Sequence, residues 1–247
     1  REAGKMRRAG LDEPAILAAL RVINQTQCQP TLDDAEVRRI AASVCRYQPG
    51  YSLTDVGSAE FLADRYGGRI SYRYDLRRWF VWRPPVWKPD EDGEIERLAL
   101  EAVRERQAQA LNIQDADQRK KALSFLLQSE NGYHLRSMME IAKSLKPLAK
   151  GGMEFDKADN LLCVQNGVID LTTGVFREGK PDDYLTQCAG THYDPTAKAE
   201  RWERFISEVF QGDPDLVAFV QRAVGYTLTG WTHEQIFSFC YDTASNG

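Results

Sequence analysis

The last stretch of the chain, residues 236–247, constrains the possible fold more than any other part of the sequence. It opens with a short apolar run, residues 236–241, bounded by polar turn residues. Such a run predicts a strand buried on both faces, as in the centre of a parallel sheet. A loop of small polar residues ending in Gly247 follows directly. Together they predict the entry to a phosphate-binding loop, where backbone N–H groups surround phosphate oxygens.

The composition is that of an ordinary soluble, globular chain. Of its 247 residues, 43% are hydrophobic and 28% are charged, which suits one large domain or a few small ones. No apolar run is long enough to span a membrane, and no signal peptide is visible. We therefore expect a cytoplasmic protein without membrane contact. Because the chain starts at Arg1 and stops inside a loop, we also expect a fragment of a longer protein.

The cysteines and histidines give no sign of a catalytic or metal site. The five cysteines stand far apart and none forms a Cys-x-x-Cys pair, so we expect reduced thiols rather than disulfides or zinc ligands. Cys188 and His192 have a spacing that suits metal ligands, but two ligands do not make a site. None of the three histidines has a convincing nucleophile beside it. We predict no catalytic residue and no metal ligand in this chain.

The hydrophobic pattern changes its period several times along the chain. Apolar residues at helical spacing predict helices within residues 1–47, 54–67, 90–147 and 196–231. Alternating patterns between turn residues predict a β-hairpin near residues 69–83 and a small antiparallel β unit near residues 161–188. The predicted fold class is therefore α+β, mostly helical, with a C-terminal strand that begins a P-loop ATPase core.

Polar residues mark where several of these helices begin. Asp12 is predicted to cap one helix, and Asp33 is predicted to open another through a capping box with Glu36, while further helices are predicted to start near Thr54, near Asp115 and at Asp213. The third helix of the 90–147 region is expected to end at Pro147. The last helix is expected to pack inward through its apolar residues, from Leu216 to Val224, and residues 225–230 are expected to form a loop.

Basic and aromatic residues concentrate around the predicted hairpin. Between Arg65 and Lys88 there are seven basic residues, seven aromatic residues and one acid, Asp75. Basic groups that neutralise phosphates, interleaved with rings that stack on bases, are typical of single-stranded nucleic-acid binding. The resulting candidates for DNA contact are Arg73, Arg77, Arg78, Trp79 and Trp82.

A structural interpretation of the same residues stays open. The aromatic side chains also suit the hydrophobic face of a small sheet, with the arginines on its solvated face. For the tryptophans this interpretation is the favoured one. Elsewhere, Lys143, Lys146 and Lys150 are weaker candidates for phosphate contact, and Asp170 is predicted to be a turn or capping residue.

Four stretches of the sequence carry a resemblance to a known family. They are residues 4–10 with 28–30 and 36–44, the tryptophan-rich residues 79–87, residues 160–174, and residues 225–230 with 239–247. In this order they resemble the phage and plasmid primase-helicases, relatives of the poxvirus helicase-primase, whose motor is a superfamily III helicase. The resemblance rests on all four stretches in this order, which together span nearly the whole chain.

The resemblance implies domain boundaries and partners. Residues 1–50 would be a helical module that follows a primase domain, residues 54–232 the pre-helicase region, and residues 233–247 the truncated start of a superfamily III helicase ATPase domain. The parent protein would be a homo-hexamer that uses ATP and Mg²⁺ to unwind DNA in a bacterial host cell and moves on single-stranded DNA. We expect the fragment itself to bind neither cofactor.

The resemblance also places a partial nucleotide-binding site at the end of the chain. The family's glycine-rich loop ends in Asn-Gly-Lys-Ser/Thr, and the matching positions are Thr243, Ser245, Asn246 and Gly247. The Lys and the hydroxyl that complete such a loop would come next.

Two positions depart from the family's loop pattern, because Asp242 and Ala244 stand where the family has Gly. A carboxylate there repels a nucleotide, and a Cβ restricts the approach of the backbone. Either the ATPase is degenerate or the sequence is unreliable at its end, and the intact strand before the loop favours the second explanation.

A rival hypothesis comes from another class of protein. The chain would then be a non-catalytic DNA-binding, replication-initiator or oligomerisation module without a motor. The two hypotheses differ in what the source DNA encodes after Gly247: Lys-Ser/Thr and an acidic strand for the motor, an early stop for the module.

Overall fold

The computed structural model describes residues 2–46 and 50–235. Its helices are α1 Glu2–Arg8, α2 Glu13–Gln27, α3 Asp34–Cys45, α4 Asp55–Tyr66, α5 Glu94–Ala110, α6 Ala116–Gln128, α7 Gly132–Ala142, α8 Glu200–Val209 and α9 Pro214–Thr227. Its strands are β1 Ile70–Arg73, β2 Arg78–Arg83, β3 Val86–Pro89, β4 Ala149–Lys150, β5 Leu161–Val164, β6 Gly167–Asp170 and β7 Val175–Arg177. The predicted mostly helical α+β class is confirmed, whereas the predicted strand 236–241 lies outside the described residues.

The chain divides into two compact units. The first contains the residues up to Val81 together with Asp90–Lys150, and the second contains Trp82–Pro89 together with the residues from Gly151 onward. None of the described helices is long and apolar enough to cross a membrane. The domain boundaries predicted near residues 50–54 and 232–233 stay predictions.

Helices α1, α2 and α3 form a small module at the start of the first unit. The carboxylate of Asp12 accepts a hydrogen bond from the backbone N–H of Ala15 (3.0 Å), and the carboxylate of Asp33 accepts one from Glu36 (2.7 Å). Both predicted caps are therefore confirmed, since each satisfies an N–H that the helix leaves unpaired. The short helix α1 was not predicted as a separate element.

The main core of the first unit lies where α4, α5 and α7 meet one face of the β1–β2 hairpin. Leu62 of α4, Ile70 of β1 and Val81 of β2 are fully buried in one cluster with Met138 of α7. The burial of Met138 confirms that this residue fills the core. Thr54 caps α4 through its hydroxyl, which accepts a hydrogen bond from Gly57. However, α7 ends at Ala142, before the predicted stop.

The hairpin belongs to a sheet with the strand order β3-β2-β1-β4. Strands β1 and β2 are antiparallel, with Ile70 opposite Val81 and Tyr72 opposite Trp79. Strand β4 has only two residues and pairs with β1 in parallel. So short a strand shows no alternation in the sequence, which is why this strand was not predicted.

In the second unit, strands β5, β6 and β7 form the predicted antiparallel β unit. The turn after β6 depends on Asp170, whose carboxylate accepts hydrogen bonds from the backbone N–H groups of Thr172 (2.8 Å) and Thr173 (3.3 Å). These bonds lower the pKa of Asp170 because they favour its charged form. The prediction that Asp170 is a turn residue is confirmed.

The last helix, α9, differs from expectation. No residue of α9 is buried, and Leu216 and Val224 are 40% and 43% exposed, so the prediction that this apolar face packs inward is wrong for the described structure. Amphipathic spacing shows which residues share a face, but it does not show whether another element covers that face. Helix α9 also continues to Thr227 and therefore includes the start of the predicted loop 225–230.

We predict that the core of the first unit is much more sensitive to truncation than its helical surface. Leu62→Ala removes a fully buried side chain and is expected to lower the free energy of unfolding by about 2–5 kcal/mol. Leu127→Ala makes the same change at a helical position that is 63% exposed, so its cost is expected to stay within about 0.5 kcal/mol. Urea unfolding of both variants measures the difference, and equal losses would contradict the assigned core.

Candidate nucleic-acid interface

The candidate interface is the hairpin tip, which we define as residues 74–78. The residues Tyr74 to Arg77 form the turn, and Arg78 begins β2. Arg77 has a left-handed backbone with φ of 51°, a conformation that side chains other than Gly adopt uncommonly. All five side chains of the hairpin tip are exposed.

Arg73, which precedes the hairpin tip, is held within the structure. Its Nη2 lies 2.6 Å from Oδ2 of Asp75, and its guanidinium lies 5.3 Å from the centre of the Phe80 ring. The hydrogen bond from Arg73 lowers the pKa of Asp75, because it stabilises the ionised carboxylate. In the structure, the side chain of Arg73 thus helps to order the turn. The predicted contact of Arg73 with DNA stays a prediction.

Arg77 and Arg78 are the exposed cations of the hairpin tip. Neither forms an ion pair within the part of the chain that the structure describes. By contrast, Arg65 and Arg69 pair with the distant carboxylates Glu105 (2.9 Å) and Glu94 (2.6 Å). Since a paired cation has less charge to offer a phosphate, Arg77 and Arg78 are the better placed of the predicted contacts.

Trp79 and Trp82 lie in structural positions. Trp79 is half-buried against the core of the first unit, and its ring meets the ring of Tyr72 edge-on with 5.2 Å between centroids. Trp82 is half-buried beside Trp87, with 5.8 Å between ring centroids. Both positions agree with the interpretation that the tryptophans build hydrophobic faces. Their predicted DNA contact remains untested.

Tyr74 was not among the predicted DNA contacts, although the structure places it in the hairpin tip. The alternating pattern assigned it to the strand beside Ile70 and Tyr72, whereas the structure places it in the turn with half of its surface exposed. Its ring meets the ring of Tyr72 edge-on at 5.1 Å, so its own faces are not stacked on that neighbour. The sequence contained one signal for this position, Asp75, because Asp is common in turns. A turn that includes Asp75 also takes in the preceding residue, Tyr74.

Two of the weaker lysine candidates already have partners. Lys143, at the end of α7, pairs with Glu140, and its Nζ lies 5.1 Å from the centre of the Tyr72 ring. Lys146 donates a hydrogen bond to the carbonyl oxygen of Ala149 (3.1 Å). Lys143 therefore lies beside an aromatic residue of the hairpin, but the carboxylate of Glu140 offsets its charge.

The predicted nucleotide-binding residues cannot be located in the same way. Thr243, Ser245, Asn246 and Gly247 lie outside the described residues, as do Asp242 and Ala244. Within residues 2–46 and 50–235, no group of three or more His, Cys, Asp or Glu side chains is arranged to hold a metal ion. Among the described residues, the two predicted arginine contacts without an ion pair, Arg77 and Arg78, both lie in the hairpin tip. The hairpin tip is therefore the candidate site.

Comparison with known families assigns most of the chain. The family described as "D5 N terminal like" matches residues 59–211, which is more than half of the chain. The family described as "Primase C terminal 1 (PriCT-1)" matches residues 1–50. The chain therefore belongs to the D5 N terminal like family. The two matches in this order support a replication protein of the primase-helicase type, and the resemblance stated from the sequence is confirmed.

One relative has a helicase name. A protein named "Putative helicase L207/L206" from Acanthamoeba polyphaga mimivirus is 29% identical over 98 residues, or 37% of this chain. The match covers only 10% of that relative's length. Because the match is so short, it does not by itself assign an activity or a partner to this chain.

We predict that the ion pair between Arg73 and Asp75 makes the stability of the first unit depend on pH. The folded-state pKa of Asp75 is lowered, so its stabilisation is present above the unfolded pKa of about 4 and is lost as the pH falls through the folded pKa. Asp75→Asn is therefore expected to be less stable than wild type at pH 7, and the difference is expected to shrink as the pH falls below about 4. Urea unfolding across this range measures the difference, and a gap that persists in acid would refute the assignment.

Proposed function

We propose that the hairpin tip contacts single-stranded DNA in a replication protein of the primase-helicase type. The observation that carries this proposal is that two arginines without an ion pair among the described residues and an exposed tyrosine share the hairpin tip. Cations and an exposed ring are the two groups that sequence-independent binding of single strands needs. The family matches support a role in DNA replication, and the geometry supports the site.

Each residue of the hairpin tip has a separate part in the proposed contact. The guanidinium groups of Arg77 and Arg78 neutralise neighbouring phosphates, since five N–H donors in a planar fork suit phosphate oxygens. The ring of Tyr74 stacks on a base. The ion pair between Arg73 and Asp75 orders the turn, which reduces the conformational entropy that binding would cost.

The parent protein is proposed to be an ATP-dependent DNA helicase. The helicase name of the mimivirus relative and the order of the two family matches support this part of the proposal. ATP, Mg²⁺ and assembly into a homo-hexamer belong to the proposal for the parent. The described residues would supply packing and a DNA contact, whereas hydrolysis would take place elsewhere in the parent.

We predict that Arg77→Ala/Arg78→Ala weakens binding of a fluorescently labelled oligothymidylate. Loss of two phosphate contacts is expected to reduce the slope of log K against log salt by about 1.4, and affinity at 0.1 M salt on the order of tenfold. Fluorescence anisotropy at several salt concentrations measures both quantities. Since both side chains are exposed, the urea midpoint is expected to stay at the wild-type value.

The matched control is Arg38→Ala/Arg39→Ala, which changes the net charge by the same amount. These exposed arginines of α3 are already paired with Asp34 and Glu36, so their removal is expected to change DNA affinity little. If both double variants lower affinity and salt slope equally, the effect is one of net charge and the hairpin tip is not the site.

We predict that Tyr74 contributes through stacking and not through charge. Base–aromatic stacking contributes about 1–3 kcal/mol per base, so Tyr74→Ala is expected to weaken binding by at least about fivefold. The salt slope is expected to stay unchanged, and Tyr74→Phe is expected to restore most of the affinity because it keeps the ring. Equal binding by wild type and Tyr74→Ala would remove Tyr74 from the site.

A further inference from the structure

A cavity in the first unit contains cationic side chains that the hairpin tip does not use. It has a volume of about 510 Å³ and lies between α5, α6 and the segment before α4. Polar side chains contribute part of its lining, namely Arg8, Tyr51, Arg106, Gln109, Gln118 and Lys121. Pockets of this size commonly hold small ligands.

Arg106 is the most unusual of these residues. Its side chain is only 5% exposed, and all of its hydrogen bonds go to neutral acceptors. The acceptors are the hydroxyl of Ser58 (2.7 Å) and the backbone carbonyl oxygens of Tyr51 (3.2 Å) and Ser52 (2.9 Å). These three bonds leave two of the five guanidinium N–H groups without an acceptor among the described residues. A buried arginine is normally paired with a carboxylate.

The guanidinium of Arg106 remains charged despite its burial. Burial lowers its pKa to about 10, while Tyr51 and Glu60 act in the opposite direction through their charge. At neutral pH the group is therefore protonated. Glu60 interacts with Arg106 only at a distance, since no hydrogen bond or ion pair joins them.

The other charged groups at the cavity leave an excess of positive charge. Arg8 is neutralised by Asp64, whose Oδ2 lies 2.9 Å from Nε of Arg8 and also accepts a hydrogen bond from Tyr51. Lys121, by contrast, is exposed and forms no ion pair within the described part of the chain. Arg106 and Lys121 are thus two cations that line the cavity and that no carboxylate in direct contact compensates.

From this arrangement we infer that the cavity binds a phosphate group, with Arg106 and Lys121 as its charged contacts. The free N–H groups of Arg106 suit phosphate oxygens, and Lys121 supplies a mobile charge at the edge of the cavity. The amide side chains of Gln109 and Gln118 add hydrogen-bonding groups. The phosphate belongs either to a nucleic-acid strand or to a free nucleotide, and the inference does not depend on the hairpin tip.

Lys120 and Lys121 allow a matched test, because they are exposed neighbours on α6 and only Lys121 lines the cavity. Both Lys→Ala variants are made in the Arg77→Ala/Arg78→Ala background, so that the hairpin tip does not contribute. Fluorescence anisotropy with labelled oligothymidylate measures the binding of a nucleic-acid strand. Isothermal titration calorimetry with ATP, in the absence of Mg²⁺, measures the binding of a free nucleotide.

Lys121→Ala is expected to weaken binding of at least one of these ligands about fivefold at 0.1 M salt, with a salt slope lower by about 0.7. Lys120→Ala is expected to leave the affinity for both ligands unchanged. The ligand that responds identifies the source of the phosphate, and a response to ATP would contradict the expectation that the chain binds no nucleotide. If neither ligand binds more weakly to Lys121→Ala than to Lys120→Ala, the inference is overturned.

Arg106→Lys tests the buried guanidinium itself. The variant keeps the positive charge but loses the planar fork of donors, so the responding ligand is expected to bind several-fold more weakly with an unchanged salt slope. Urea unfolding shows whether the variant is folded. If Arg106→Lys is folded and binds the ligand like wild type, Arg106 is not part of the site. If the variant is unfolded, the comparison of Lys121→Ala with Lys120→Ala decides whether the cavity binds phosphate.

Discussion

The packing of one hairpin face against α4, α5 and α7 is the interaction on which the first unit depends. Ile70 and Val81 lie opposite each other and are fully buried beside Leu62. Because strand side chains alternate between two faces, their burial fixes the direction of the other hairpin residues. If each strand of the hairpin shifted its register by one residue, Arg73 and Arg78 would turn towards the core. The apolar core therefore decides which face of the hairpin each strand side chain occupies.

Features that depend on neighbouring residues could be predicted from the sequence. The caps Asp12, Asp33 and Thr54 each bond to a backbone N–H three residues later, so the sequence itself contains both partners. The hairpin and the β5–β6–β7 unit were predicted for the same reason, since their strands are adjacent in the chain. The family resemblance supplied the functional class, which none of these local patterns could give.

Features that depend on distant residues could not be predicted. Seven basic residues lie around the hairpin in the sequence, but two of them, Arg65 and Arg69, pair with carboxylates 40 and 25 residues away. The sequence gives the number of charges and not their partners, so it could not separate these arginines from Arg77 and Arg78. Strand β4 and the exposed face of α9 were missed for the same reason, because each depends on what lies opposite in space.

Local charge, and not net charge, decides whether this chain can bind a polyanion. The whole chain has a net charge of −4, which by itself disfavours association with DNA. However, a screening length of about 8–10 Å at physiological salt confines each charge to its surroundings. Ion pairs neutralise several of the exposed cations, for example Arg38 and Arg39, whereas Arg77 and Arg78 are neighbours without an ion pair among the described residues. An acidic chain of this kind has little general affinity for nucleic acid, so any binding it shows must come from such positions.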